Sequence, residues 1–155
     1  MTTPAEAVPR TADDAALSLE AQLCFALYSA SRAMTGTYRP LLEPLGLTYP
    51  QYLVMLVLWQ DGPTTVGRLG RKLQLDSGTL SPLLTRLETA GLIERRRHVG
   101  DDRVVDVHPT EQGRALRERA LAVREGACEA VGMSDRERDA LIVELRTLAA
   151  RLGQR

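Results

Sequence analysis

The softest nucleophiles in this sequence are two thiols, Cys24 and Cys128. The thiolate is the reactive form, and a free cysteine of pKa ~8.5 is mostly protonated at neutral pH, so either thiol needs a neighbour that stabilises its anion. Two cysteines are too few for a disulfide scaffold, and free thiols are the default in a reducing compartment. Cys24 lies in the apolar string Leu23-Cys24-Phe25-Ala26-Leu27-Tyr28, where a small buried hydrophobe and a reactive sulfur both fit the residue type. His98 and His108 do not combine with these distant cysteines into a zinc spacing. The chain has no glycine-rich phosphate loop and no nucleophile elbow. No metal, cofactor or catalytic constellation is expected.

A second set of residues suits recognition of nucleic acid. Leu80, Leu83, Leu84 and Leu87 form an apolar stripe at helical spacing, and Ser77, Thr79, Ser81, Thr85 and Arg86 lie on its outward side. Arg95, Arg96, Arg97 and Arg103 follow. Phosphates would take most of these arginines and base edges a few. His98 reads as a phosphate neighbour, His108 as a surface strand residue, and Phe25 and Trp59 as core. The formal net charge is zero, with 20 Lys+Arg against 20 Asp+Glu, which argues against a strong non-specific polyanion binder. Between Thr64 and His108, however, eight basic residues face six acidic ones, leaving +2 there and −2 elsewhere. Every cation except Lys72 is arginine. That suits bidentate phosphate and guanine contacts, although codon bias explains it more simply.

The elements that must position these residues are mostly helices. Residues 1–13, with two prolines and little apolar content, read as a mobile tail. Apolar spacing predicts a helix from Leu17 to about Met34, with Ser18 as its cap. On that reading Cys24 lies well past the first turn, where the helix dipole helps a thiolate little. A second helix is expected over Pro50 to Gln60, ended by Asp61-Gly62-Pro63. Thr64 or Thr65 caps a third helix carrying Val66, Leu69 and Leu73. A fourth starts either near Ser77, with Pro82 close to its first turn, or later with Ser81 as cap, and Gly91 ends it. Leu92 to His98 and Arg103 to Val107, joined by a Gly/Asp turn, predict a β-hairpin. Thr110 caps a helix from Glu111 to about Val131, and Ser134 with Glu137 forms a capping box for the last helix, Asp135 to Leu152.

This order, mainly α with a small β-wing, describes a winged helix-turn-helix with additional helices at both ends. The recognition helix would enter a major groove and the wing arginines the adjacent minor groove. At roughly 100–200 residues per domain, 155 residues make one domain, expected over 14–155, with a DNA-binding lobe at about 48–110. With 44% hydrophobic and 26% charged residues, a disordered chain is excluded. The longest apolar run, Tyr52 to Trp59, falls short of the ~20 residues a membrane span needs. No secretory signal pattern is present, so a cytoplasmic protein without membrane contact is expected.

From Thr65 to Gly113 the sequence, TVGRLGRKLQLDSGTLSPLLTRLETAGLIERRRHVGDDRVVDVHPTEQG, resembles the MarR family of bacterial repressors. The Asp101–Arg103 wing tip and the Thr110–Gly113 closure carry the likeness. The resemblance implies that Asp101 orients Arg103 in the minor groove. It implies also that the outer helices, about 17–38 and 111–152, form an obligate homodimer on a pseudopalindromic double-stranded DNA operator. Pro109 departs from the family pattern and is expected to shorten the second wing strand. The string QLCFALY is similar to the organic-hydroperoxide-sensing branch of the family, which implies Cys24 as the redox sensor and an organic hydroperoxide as effector. Tyr38 and Tyr49 match the two tyrosines that hydrogen-bond the sensing sulfur across the dimer in that branch. Cys128 matches the resolving thiol of its two-cysteine members, which form a disulfide between subunits. Other readings stay open on the sequence: a structural Cys128, a repressor released by a small phenolic ligand with Cys24 structural, a thiol peroxidase, or a helical dimerisation module that has lost DNA binding.

Overall fold

The leucine stripe lies where its spacing requires, with Leu80, Leu83, Leu84 and Leu87 all buried. In the computed structural model, which describes residues 15–153, these leucines belong to the fourth of six α-helices among the described residues. The expected tail, 1–13, lies outside the described residues. The helices are α1 (Leu23–Leu42), α2 (Tyr49–Asp61), α3 (Val66–Leu73), α4 (Ser77–Thr89), α5 (Glu111–Val131) and α6 (Asp135–Gly153). Three strands join them: β1 (Thr64–Thr65), β2 (Ile93–His98) and β3 (Asp101–Pro109). The chain divides into two units, one ending at Gly36 and the other starting at Thr37.

In the first unit the expected helix start is wrong. Ser18 precedes a 3-10 turn, Leu19–Ala21, and its side chain caps nothing. Gln22 then takes extended backbone (φ −85°, ψ 113°) and interrupts the helical path. The α-helix proper begins at Leu23 and continues to Leu42, past the expected end and through Pro40. Proline withholds the donor that the carbonyl four residues earlier would receive. For Pro40 that residue is Gly36, and for Pro82 within α4 it is Gly78. Both glycines are exposed.

The second unit is organised around α2, on which Tyr52, Val54, Met55 and Leu58 are buried. Thr48 and Gln51 form a capping box at its start, with Pro50 in the first turn. Thr65 caps α3 by accepting from the Arg68 N–H. Asp76 caps α4 by accepting from the Thr79 N–H at 2.8 Å, so Ser81 is an interior residue and the earlier of the two expected starts holds. The helix ends in a Schellman turn, in which Gly91 N–H donates to Glu88 O and Leu92 N–H to Leu87 O. Gly91 has φ +72°, a conformation that favours glycine.

The sheet has strand order β1-β3-β2, all antiparallel. The expected hairpin is there, and β1 adds a third strand through Thr64 opposite Val107. Two residues carry no alternation, so this pairing leaves no trace in the sequence. Pro109 does not shorten β3, which runs through it opposite Ile93. Thr110 N–H donates to Leu92 O on the β2 side. The nitrogen of residue 109 therefore faces the other edge, beyond the end of β1, and no ladder bond is lost.

A junction at Thr110 ties the wing to the helices. The Thr110 hydroxyl donates to Gly91 O at 2.6 Å and accepts from Gly113 N–H at 3.0 Å. Gly113 O accepts the Trp59 indole N–H at 2.8 Å. A Cβ at Gly113 would overlap the Leu92 carbonyl and press on Met55 Cε. A second tie is Glu88, which accepts from Arg95 through its backbone N–H at 3.0 Å, Nε at 2.9 Å and Nη2 at 2.6 Å. The Arg95 guanidinium and N–H hold the Glu88 carboxyl below the ordinary glutamate range.

Gly113→Ala should cost about 3 kcal/mol through overpacking, a fall of roughly 6–12 °C in the thermal midpoint. A depressed carboxylate pKa stabilises above the unfolded value and loses that contribution as pH falls through the folded one. The α4–β2 tie should hold above about pH 4.3 and loosen below it, read as faster amide exchange in β2. Glu88→Gln should remove this acid step at a cost of about 1 kcal/mol or less, since both partners are partly solvated.

Candidate nucleic-acid interface and thiol site

The outward side of α4 is set by the burial of its leucines. Ser77, Thr79, Ser81, Thr85 and Arg86 are exposed there. Thr79 is partly committed, its hydroxyl donating to Asp76 Oδ2 at 3.1 Å. Its N–H and hydroxyl keep the Asp76 carboxyl below the usual range. Across from α4, Arg95 is held by Glu88 and reaches the Thr85 hydroxyl at 3.4 Å, so this arginine braces the wing against α4. Arg96 pairs with Glu94 on the same strand. Arg86 and Arg97 are exposed with no side-chain partner among the described residues.

At the wing tip Arg103 is 93% exposed. Asp101 Oδ1 accepts from its N–H at 3.0 Å and its Nε at 3.4 Å. His98, expected as a phosphate neighbour, has a partner within the wing. Its Nδ1 lies 2.8 Å from Asp106 Oδ2, an ion-pair or hydrogen-bond partner within the wing, next to the register shift between Arg97 and His98. Sequence reasoning missed Arg71. With Thr65, Ser81, Arg95 and Arg103 it lines a concavity of about 570 Å³ between α3, α4 and the wing. Its neighbours Arg68 and Lys72 are instead turned to Asp61, whose carboxyl the Lys72 ammonium pushes down.

Both cysteines are free thiols. Cys24 is exposed and stands second in α1, in the first helical turn, which corrects the placement well past that turn. Phe25 beside it is 37% exposed, against the expectation of core. The reason is that α1 carries no buried residue before Leu42. Trp59 is partly buried against the core.

In the second unit, Tyr38 and Tyr49 come together with ring centroids 4.8 Å apart, and Tyr52 lies 5.9 Å from Tyr38. Helix α1 and the start of α2 bring the pair into contact. Neither the Tyr38 nor the Tyr49 hydroxyl is hydrogen-bonded within the described residues. Burial pushes the Tyr38 phenol up, with smaller contributions in the same direction from Tyr49 and Cys128, so it remains a protonated donor at neutral pH. Cys128 is partly buried on α5, and Arg138 Nη1 on α6 donates toward its sulfur at 3.8 Å. Arg138 was not legible in the sequence, because the contact depends on how the α5–α6 corner folds. The structure thus gathers Tyr38, Tyr49 and Cys128 in one unit, while Cys24 belongs to the other.

The MarR family model matches residues 47–105. The organic hydroperoxide resistance transcriptional regulator of Bacillus subtilis (strain 168) is 50% identical over 107 residues, which is 69% of this chain and 73% of that protein. Among solved structures, reduced AbfR bound to DNA superposes with a TM-score of 0.73 at 36% identity, covering 88% of this chain and 95% of that one. The disulfide-formed state of AbfR, a Staphylococcus epidermidis protein, gives a TM-score of 0.62 at 36% identity, covering 88% and 93%. With a half-identical relative covered over most of its length and the wing, recognition helix and Thr110 closure in place, the chain belongs to the MarR family of transcriptional regulators.

Proposed function

We propose that this regulator is a homodimeric repressor whose hold on operator DNA ends when an organic hydroperoxide oxidises Cys24. The observation that carries the reading is the Tyr38–Tyr49 pair, with ring centroids 4.8 Å apart, in the same unit as Cys128. Two phenols with uncommitted hydroxyls are suited to receive a thiolate, and a second thiol lies in the same unit. The Bacillus subtilis relative, whose name states organic hydroperoxide resistance, and the reduced DNA-bound and disulfide forms of AbfR support it.

The chemistry is a two-electron oxidation. The Cys24 thiolate attacks the distal peroxide oxygen, the O–O bond breaks, and an alkoxide leaves to take up a proton as the alcohol. Cys24 is then a sulfenic acid. Cys128 of the other subunit attacks that sulfur, the S–S bond forms, and the sulfenic oxygen leaves as water. Apolar side chains near the N-terminal thiol, such as Leu23 and Phe25, would favour an organic over an inorganic peroxide.

The dimer rests on apolar surface that one chain leaves uncovered. Leu23, Phe25 and Tyr28 on α1, and Leu141, Ile142, Val143 and Leu145 on α6, are exposed. A helix with an apolar face unburied in its own chain calls for a partner. The lobe of about 48–110 would then place α4 in the major groove, through Ser77, Thr79, Ser81, Thr85 and Arg86. Arg103, oriented by Asp101, would enter the minor groove, while Arg96 and Arg97 take phosphates and Arg95 braces the wing. Half-sites one DNA turn apart, ~34–36 Å, set the spacing the two α4 helices must keep. A disulfide between subunits would alter it.

A second reading, release by a small phenolic anion, is favoured by one observation. A cavity of about 370 Å³ is lined by Tyr52, Trp59, Arg117 and Arg124.

Mobility shift with cumene hydroperoxide separates the two. Wild type should lose its operator, and Cys24→Ser should keep it; equal release of both would leave only the ligand model. Arg103→Ala should weaken operator binding about 10–100-fold, at roughly 1–3 kcal/mol per lost groove contact. Mass spectrometry of the oxidised protein without reductant should find a Cys24–Cys128 cross-linked peptide, and unmodified Cys24 would count against the thiol mechanism.

A further inference from the structure

The guanidinium of Arg138 occupies a position that the operator-binding reading does not use. It is partly buried at the α5–α6 corner, where Asp135 Oδ1 accepts from Nη1 at 2.5 Å and Asp139 Oδ1 accepts from Nη2 at 3.0 Å. The Asp139 and Asp135 carboxylates push its already high pKa further up, so it stays charged. Two carboxylates fix its plane, and Nη1, which donates to Asp135, also donates toward Cys128 Sγ, 3.8 Å away. The same carboxylates would satisfy an arginine needed only to cap the corner, yet the sulfur is an additional acceptor. The corner itself is built independently of it, by the Ser134–Glu137 capping box and Gly132 in left-handed conformation.

We propose that Arg138 is a positioning residue for Cys128, holding its sulfur through a charge-assisted N–H···S contact and speeding its attack on a divalent sulfur electrophile. This rests on the reading of Cys128 as resolving thiol. In that step the electrophile is the Cys24 sulfenic acid, the new bond is S–S, and the oxygen departs as water. Thiol–disulfide exchange uses the same nucleophile, so the contact can be tested apart from Cys24.

In the full chain carrying Cys24→Ser, Cys128 is the sole thiol, and 4,4′-dithiodipyridine is an uncharged disulfide that the protein's field does not steer. Arg138→Met should slow its reaction about tenfold, the scale of one hydrogen bond from a charged donor. Arg138→Lys, which keeps a charged donor, should recover most of the rate, a recovery that a purely structural role would not produce. Equal or faster reaction in Arg138→Met, or no recovery with lysine in a folded protein, would overturn the proposal. In the chain with both cysteines, cumene hydroperoxide with dimedone trapping separates the two readings. Under the proposal, Arg138→Met forms the Cys24 sulfenic acid at the wild-type rate and the intersubunit disulfide slowly. If neither sulfenic acid nor disulfide forms in wild type or in Arg138→Met, the hydroperoxide reading fails while the exchange experiment still decides Arg138.

Discussion

The Thr110 side chain holds the DNA-binding lobe together. One hydroxyl closes the start of α5 by accepting from Gly113 and closes the end of α4 by donating to Gly91. The backbone of the same residue extends the β2–β3 ladder onto Leu92. Three elements therefore share one residue: the recognition helix, the wing and the long helix leading out of the lobe. Gly113 allows the approach, since a Cβ would overlap Leu92, and Trp59 anchors its carbonyl. A displacement of α5 cannot leave the wing and α4 unaffected. That coupling is what a regulator needs if events on α5 are to reach DNA.

Charge is arranged around this joint with a division of labour among the arginines. Arg95 is neutralised by the Glu88 carboxylate and braces the wing against α4. Farther out, Arg86, Arg97 and Arg103 are exposed. Zero net charge is therefore compatible with a locally cationic face, because the compensating acids sit where they orient or brace and leave the outer arginines uncovered. Arg138 repeats the pattern at the other end of α5, where two carboxylates fix a guanidinium against a sulfur.

Much of the lobe was legible because its signals are local. Caps at Thr48, Thr65, Thr110 and Ser134 lie within three residues of what they bind, and the leucines of α4 state their burial by spacing. The failures share one cause, competition from backbone that local spacing does not encode. Ser18 is a good cap by type, yet the extended Gln22 moves the helix start to Leu23 and carries Cys24 into the first turn. Pro109 looks like a strand breaker, yet its nitrogen faces an edge where β1 has already ended. Phe25 has a core composition, yet its helix has no core within one chain to enter.

Residue types and short spacings were enough for the order of elements, the winged helix-turn-helix class and the positions of the arginines and the two thiols. Each depends on residue type or on spacing within a few positions. Only the tertiary structure decided which arginines are braced and which are exposed, that Tyr38 meets Tyr49, and that Arg138 meets Cys128. These are contacts between side chains on different elements. They depend on the angle at which helices pack and turn, and no periodicity within one segment records that angle.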